Sequence, residues 1–235
     1  VTQTYATDPG RHAALLDHLP ADVEALGIVV RNVVGGAGTP GADHARLVDL
    51  LDADQARYPG QGLRVPRGRP VGGTCRSAAL LMVAALRHRS LPARSRVGFA
   101  PYLGDAAHVV VSYHDGRRWL TTDPRVPGAT GFVFPGDAWL AYRAGTLDAA
   151  RFGGGAALRD AVLRDLAHVN GTEVRLTDEW GPMGPDLVDG LDVIDDLAAL
   201  LVSVSRGDAV AARELVERYA SDHRIRAPRL VLATT

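Results

Sequence analysis

Nine consecutive apolar residues, Ala78 to Leu86, follow a threonine that can cap a helix and a single cysteine. This run predicts a helix over 75–88 that is apolar all round, which places it at the centre of a fold. Thr74 is its predicted N-cap and Cys75 lies in its first turn. Elsewhere the apolar positions recur on one face only, and predict helices over 22–34, 43–57, 137–144, 156–168, 192–205 and 208–221. Asp8-Pro9 opens a shorter helix through Leu16. Three short stretches, 94–99, 108–113 and 118–122, read as strands. Asp115-Gly116 between the last two predicts a two-residue hairpin loop. Stretches rich in Gly and Pro, at 35–41, 62–73 and 180–190, are irregular. Helices, one core helix, a small sheet and more helices make an α+β fold, and no internal repeat is present.

Charge narrows the class of function. The chain has 26 basic residues against 27 acidic. It has no basic stripe of the kind a nucleic-acid binder carries. No apolar stretch is long enough for a membrane span. The first ten residues lack a basic segment followed by an apolar one, so the expected location is cytoplasmic. One cysteine in 235 residues leaves no internal disulfide. Every basic residue is arginine. Base composition of a genome accounts for that, and so does an enzyme that joins acyl groups to lysine amines and spares itself.

The cysteine carries the first chemical signal. A thiol in the first turn of a helix sits at the positive end of the dipole, which favours thiolate. Gly72-Gly73 ahead of it lets backbone and substrate approach closely. The plain alternative for a lone cysteine is a small buried hydrophobe. The hairpin supplies a second signal. A two-residue loop at Asp115-Gly116 pairs Ser112 with Trp119, Val110 with Thr121 and His108 with Asp123. Directly opposed residues hold their Cβ atoms about 4.5–5.5 Å apart, which lets a carboxylate bond one ring nitrogen of a histidine. The plain alternative is a structural His–Asp pair. Together Cys75, His108 and Asp123 supply a nucleophile, a base and an orienting carboxylate for acyl transfer. The Cys75 N–H is one candidate oxyanion donor.

At these residues the chain resembles the transglutaminase-like superfamily. Gly73-Thr74-Cys75-Arg76-Ser77-Ala78, Leu91-Pro92-Ala93-Arg94 and Val97-Gly98-Phe99 are similar to its cysteine segment. His108-Val109-Val110-Val111, Trp119 and Thr122-Asp123-Pro124 are similar to its histidine and aspartate segments. The resemblance covers about residues 70 to 125. It implies a papain-like fold, with the core helix packed on a small antiparallel sheet and flanking helices, and a triad of Cys75, His108 and Asp123. It also implies one domain over 1–235: N-terminal helices to 60, a catalytic core over 61–135, a helical cover over 136–180 and C-terminal helices over 191–235. A vaguer resemblance, to a group of bacterial transglutaminase-like proteins, runs through Trp139, Tyr142, Phe152, Arg164, Asn170, Glu173 and Asp178-Glu179-Trp180-Gly181. Animal transglutaminases hold the oxyanion with a tryptophan ahead of the cysteine. Here Trp119, Trp139 and Trp180 all follow it, and Gln55 and Gln61 are the donors that precede it, unless they only belong to a helix surface and a loop.

Candidate substrate contacts are therefore Gln61, Gly73, Thr74, Asn170, Glu173, Asp178 and Trp180. The last four line a pocket or simply end a helix; the pattern allows both. Gly35 to Gly38 lacks the spacing and the lysine of a phosphate loop. Asp192, Asp195 and Asp196 suit a helix start, and no histidine has zinc-ligand spacing with the cysteine. No metal or cofactor is expected. The expected substrate is a small-molecule, peptide or carrier-bound acyl group, with an amine acceptor giving an amide. The alternatives are an amidase or peptidase using water, and a non-catalytic binding module. A thiol redox role lacks a resolving cysteine.

Overall fold

The computed structural model describes residues 2–185 and 191–228. Among them are seven α-helices and a three-stranded sheet, an α+β arrangement as the sequence predicts. The strands are β1 (Ala93–Ala100), β2 (Ala106–His114) and β3 (Trp119–Thr122), in the order β1-β2-β3, antiparallel throughout. The chain divides into two compact units, one of residues 2–95 and 109–129, the other of 96–108, 130–185 and 191–228. The boundaries fall inside β1 and β2. No helix among the described residues is long and apolar enough to cross a membrane.

The first unit is built around α3 (Cys75–His88), which has the predicted bounds. Every residue from Arg76 to Arg87 is buried. Each large aliphatic side chain in it contributes on the order of 1.5–3 kcal/mol. The two arginines at its ends are buried because backbone oxygens receive them. Arg76 donates to His44 O and Ala45 O, both at 2.8 Å. Arg87 donates to Ala93 O at 2.9 Å and to Thr7 Oγ1 at 3.1 Å. Against α3 pack α1 (Val23–Val34) and α2 (Leu47–Arg57). α1 starts where the sequence places it, because Asp22 accepts the Ala25 N–H at 2.7 Å. α2 starts four residues later than its predicted start at Asp43. The carbonyls of His44 and Ala45 serve Arg76 instead of a helical ladder. The segment from Asp8 also departs from expectation and forms a 3-10 turn, Gly10–Leu16.

The irregular segment 62–73 is organised by one buried ion pair. Arg67 meets Asp54 of α2 through two parallel bonds, Nε to Oδ1 at 3.0 Å and Nη2 to Oδ2 at 2.8 Å. Both side chains are fully buried. Arg67 also donates to Gly62 O and Val65 O, each at 3.2 Å, so the loop wraps around its guanidinium. Val71 N donates to Val33 O at 2.8 Å and fastens the end of the loop to α1.

The second unit is a helical assembly of α4 (Pro135–Arg143), α5 (Gly155–Val169), α6 (Leu191–Ser205) and α7 (Ala209–Ser221). Trp139, Leu158, Leu163, Leu166, Leu197 and Leu215 are among its fully buried residues. A second buried ion pair fixes β1 to α5: Arg96 donates to both oxygens of Asp165, at 2.8 and 2.7 Å, and Val97 N joins them at 2.9 Å.

Candidate active site

Cys75 is the first residue of α3. Thr74 has the extended backbone of an N-cap, and its Oγ1 accepts the Ser77 N–H at 3.3 Å while Ser77 Oγ accepts the Thr74 N–H at 3.4 Å. This reciprocal box leaves the cysteine in the turn where helical N–H groups have no intrahelical acceptor and the dipole is positive. Thr74 Oγ1 also donates to Asp43 Oδ1 at 2.9 Å, which ties the cap to the segment before α2. Cys75 itself is partly exposed and free. It is the one member of the all-buried run's first turn with a path to solvent, as a nucleophile needs.

The backbone just before Cys75 lies directly on residues 40–41. Gly72 has φ +88, and a Cβ there would collide with Pro40 O. A Cβ on Gly41 would likewise strike Gly73 N. These glycines are needed because two backbones touch, and the chemistry that follows from them is a rigid approach to Cys75.

Asp123 follows β3. It is buried, and its Oδ1 accepts the Arg125 N–H at 2.8 Å and the Val126 N–H at 3.3 Å. The hairpin register differs from the predicted one. Observed pairs are Val111 with Thr122, Ser112 with Thr121, Tyr113 with Leu120 and His114 with Trp119. The turn is therefore centred one residue later, on Gly116-Arg117. Gly116 carries the positive φ of +98 and Arg117 does not, the pattern of a turn with glycine at its first central position. Asp115 Oδ1 accepts both the Arg117 and Arg118 N–H groups at 2.8 Å, which favours this centre over Asp115-Gly116. Each partner moves by two positions, so Asp123 is carried level with Val110 and not with His108. A shift of two preserves the faces. Ser112 Oγ meets Thr121 Oγ1 at 3.2 Å. Strand alternation assigns Val110 and Ser112 to that face of β2, and Asp123 lies two residues beyond Thr121.

His108 is buried on β2, at the edge of the second unit. Within that unit its ring meets Tyr102 edge-on, with centroids 6.3 Å apart. Cys75 and Asp123 belong to the first unit.

Arg125 is a residue the sequence reading did not single out. Its Nη1 donates to Gly73 O at 3.1 Å, and its Nη2 donates to Thr39 O at 3.1 Å and to Gly36 O. Its Nε is buried without a partner. Burial pulls the guanidinium below the usual arginine range, while the charges of Cys75 and Asp123 act the other way. Arg31 of α1 behaves similarly: burial lowers it, Asp123 opposes that, and its Nη1 donates to Pro124 O at 3.0 Å.

The other sequence candidates fall in different surroundings. Gln61 is exposed; its Oε1 accepts from Arg67 at 3.4 Å and its carbonyl from Gln55 Nε2 at 3.0 Å. Gln55 is spent on that same loop, donating also to Asp54 Oδ2. Asn170 ends α5, with Nδ2 on Leu166 O at 2.8 Å. Asp178 accepts the Arg175 N–H at 2.7 Å, and Glu173 is buried. Trp180 is buried in the second unit's core and donates its indole N–H to Ile225 O at 3.0 Å. Beside it Gly181, Pro182, Ile194, His223 and Ile225 line a cavity of about 460 Å³. Asp195 receives the Trp139 indole N–H at 2.7 Å and the Arg143 guanidinium, and Asp196 receives Arg218.

No curated protein and no solved structure matches the chain. Residues 52–124 match the transglutaminase core family model, and Cys75, His108 and Asp123 all lie within the match. The superfamily commonly comprises cysteine enzymes. The segment 52–124, with the central helix that opens on Cys75, is similar to the core of the transglutaminase-like superfamily.

Proposed function

We propose that the protein transfers an acyl group through a thioester on Cys75, with His108 as base and acid and Asp123 as the carboxylate that orients it. The observation that carries this reading is Cys75 as first residue of a capped, buried helix, partly exposed, inside the matched segment. His108 takes the Cys75 thiol proton; the thiolate attacks the carbonyl carbon of an amide or thioester, and the carbonyl oxygen takes the negative charge. As the tetrahedral adduct collapses, the C–N or C–S bond breaks and His108 gives its proton to the leaving amine or thiol. The acyl group is then a thioester of Cys75. An entering amine attacks it, His108 takes the proton, and the thiolate leaves. The role proposed for Asp123 is to accept the ring N–H of His108 and so fix its tautomer.

The substrate is a small-molecule, peptide or carrier-bound acyl group. An amine acceptor gives an amide; water in the same position makes the protein an amidase or peptidase. Every step before the acceptor is shared, so partitioning decides. Glutaminyl peptides and acyl thioesters of N-acetylcysteamine are supplied with increasing hydroxylamine. Saturable hydroxamate formation at the expense of free acid is the expected result. Free acid alone at every amine concentration makes the protein a hydrolase. No turnover of either kind, with no adduct on Cys75, leaves a binding module.

A further inference from the structure

We infer that Arg125 is the positioning residue that couples the Asp123 turn to the nucleophile loop and holds a positive charge beside Cys75. This rests on the acyl-transfer reading above and extends it to a residue outside the triad. Arg125 is connected at both ends to the proposed machinery. Its own N–H is bound by Asp123 Oδ1 at 2.8 Å. Its guanidinium reaches Gly73 O at 3.1 Å, two residues before Cys75. The same group takes Thr39 O at 3.1 Å and Gly36 O, from the segment on which Gly72 and Gly73 rest. One side chain thus closes three pieces of backbone around the start of α3: the loop after α1, the pair of glycines before the nucleophile, and the turn after β3.

Arg125 Nε is buried and has no acceptor among the described residues, a state that calls for an explanation in the site around it. Among the described residues its guanidinium bonds only backbone carbonyls, and the nearby Asp123 carboxylate acts on it through its charge and not through a side-chain bond. A cation in this state lowers the free energy of a nearby thiolate. The other charged groups at this end of α3 are largely spoken for. Arg76 is held by Asp43 at 3.4 Å and by two carbonyls. Asp43 also accepts from Thr74. Burial holds His44 below its usual range, against the pull of Asp49 and Asp43. Arg31 is turned to Pro124 O. Among the described cations here, Arg125 is bonded to the backbone two residues before Cys75.

The clamp and the charge can be separated. Arg125→Gln removes the charge; Arg125→Lys keeps a charge and loses the fork that reaches two loops at once. The experiment is the rate of iodoacetamide alkylation of Cys75 against pH in wild type and both variants, with peptide mapping and with circular dichroism to confirm folding. In wild type Cys75 is expected to be alkylated in the folded protein, and the midpoint of its rate against pH is the reference for both variants. In Arg125→Gln the midpoint moves up, and the rate at pH 6 falls about tenfold for each unit of movement. Arg125→Lys is expected to keep the wild-type midpoint while acyl turnover drops, since thiolate survives and the loop loosens. An unchanged midpoint in a folded Arg125→Gln overturns the inference and leaves the acyl-transfer reading standing. If Arg125→Gln does not fold, an upward movement in Arg125→Lys equal to that of an unfolded thiol overturns it as well. A wild-type thiol that reacts only after denaturation overturns both.

Discussion

Asp54→Asn is the substitution with the largest calculable effect on the first unit. It preserves shape and removes one charge. Arg67 then stays fully buried with no counter-ion, since its remaining contacts are Gln61, Gly62 O, Val65 O and the Tyr58 ring, over which it lies 4.8 Å from the centroid. Removing one partner of a buried pair costs about 3–5 kcal/mol, because the other ion remains desolvated. Domains of this kind have about 5–15 kcal/mol in all, so the variant folds but is marginal. With a urea dependence of about 2 kcal/mol per molar, the midpoint falls by roughly 2 M. Urea unfolding read by hydrogen exchange at α2 and α3 amides follows the first unit by itself. The partly exposed pair of Arg46 and Asp49 in the same unit is the internal control, since exposed pairs are worth about 0–1 kcal/mol. A loss below about 1 kcal/mol in Asp54→Asn, matching that control, would refute the view that this pair organises the loop ahead of Cys75.

Three further outcomes are expected. Trp180→Ala empties a core position and costs about 3–5 kcal/mol, whereas Trp180→Phe keeps the ring and loses the bond to Ile225 O; a thermal melt in which the alanine variant is unaffected would return Trp180 to the role of a surface contact. Thr74→Ala removes the N-cap and costs about 1 kcal/mol, with Thr74→Ser restoring it, as measured by urea midpoints. The Asp222 carboxyl titrates at about 2, below its unfolded value of 3.8, held there first by its bonds from Arg224. Its folded pKa is lowered, so its contribution is present above 3.8 and is lost as pH falls toward 2. Because the pair is exposed, that contribution is at most about 1 kcal/mol, and an NMR titration midpoint near 4 would contradict the bonded geometry.

The parts of the fold that were legible in the sequence are those fixed by neighbours along the chain. α3 has its predicted bounds because a capping threonine and an unbroken apolar run agree on them. α1 follows from Asp22 in the same way. The hairpin was legible in kind and not in register. Asp115-Gly116 and Gly116-Arg117 are both competent turn centres, and the choice is made by one carboxylate accepting two N–H groups. The start of α2 was misplaced because buried Arg76, 32 and 31 residues from His44 and Ala45, takes the carbonyls that a helix would have used. Arg125 and the Arg67–Asp54 pair had no local signal at all. An arginine in a Pro-rich loop reads as solvated, and only tertiary contact reveals that it is an anchor. Trp180 was equally compatible with a pocket wall and a core; its buried indole and the Ile225 bond put it in the core of the second unit.

The most direct test of the account is the mass of the protein after exposure to an acyl donor. Wild type is incubated with an acyl thioester of N-acetylcysteamine or a glutaminyl peptide, quenched in acid, and analysed intact and by peptide mapping, beside Cys75→Ala and His108→Ala. The account predicts a single acyl adduct on the peptide containing Cys75, its lability to hydroxylamine as a thioester, its absence in Cys75→Ala, and its strong slowing in His108→Ala. Adducts that persist in Cys75→Ala, or a Cys75 that stays unmodified across the donor series while a simple alkylating agent reaches it only in denaturant, would contradict it.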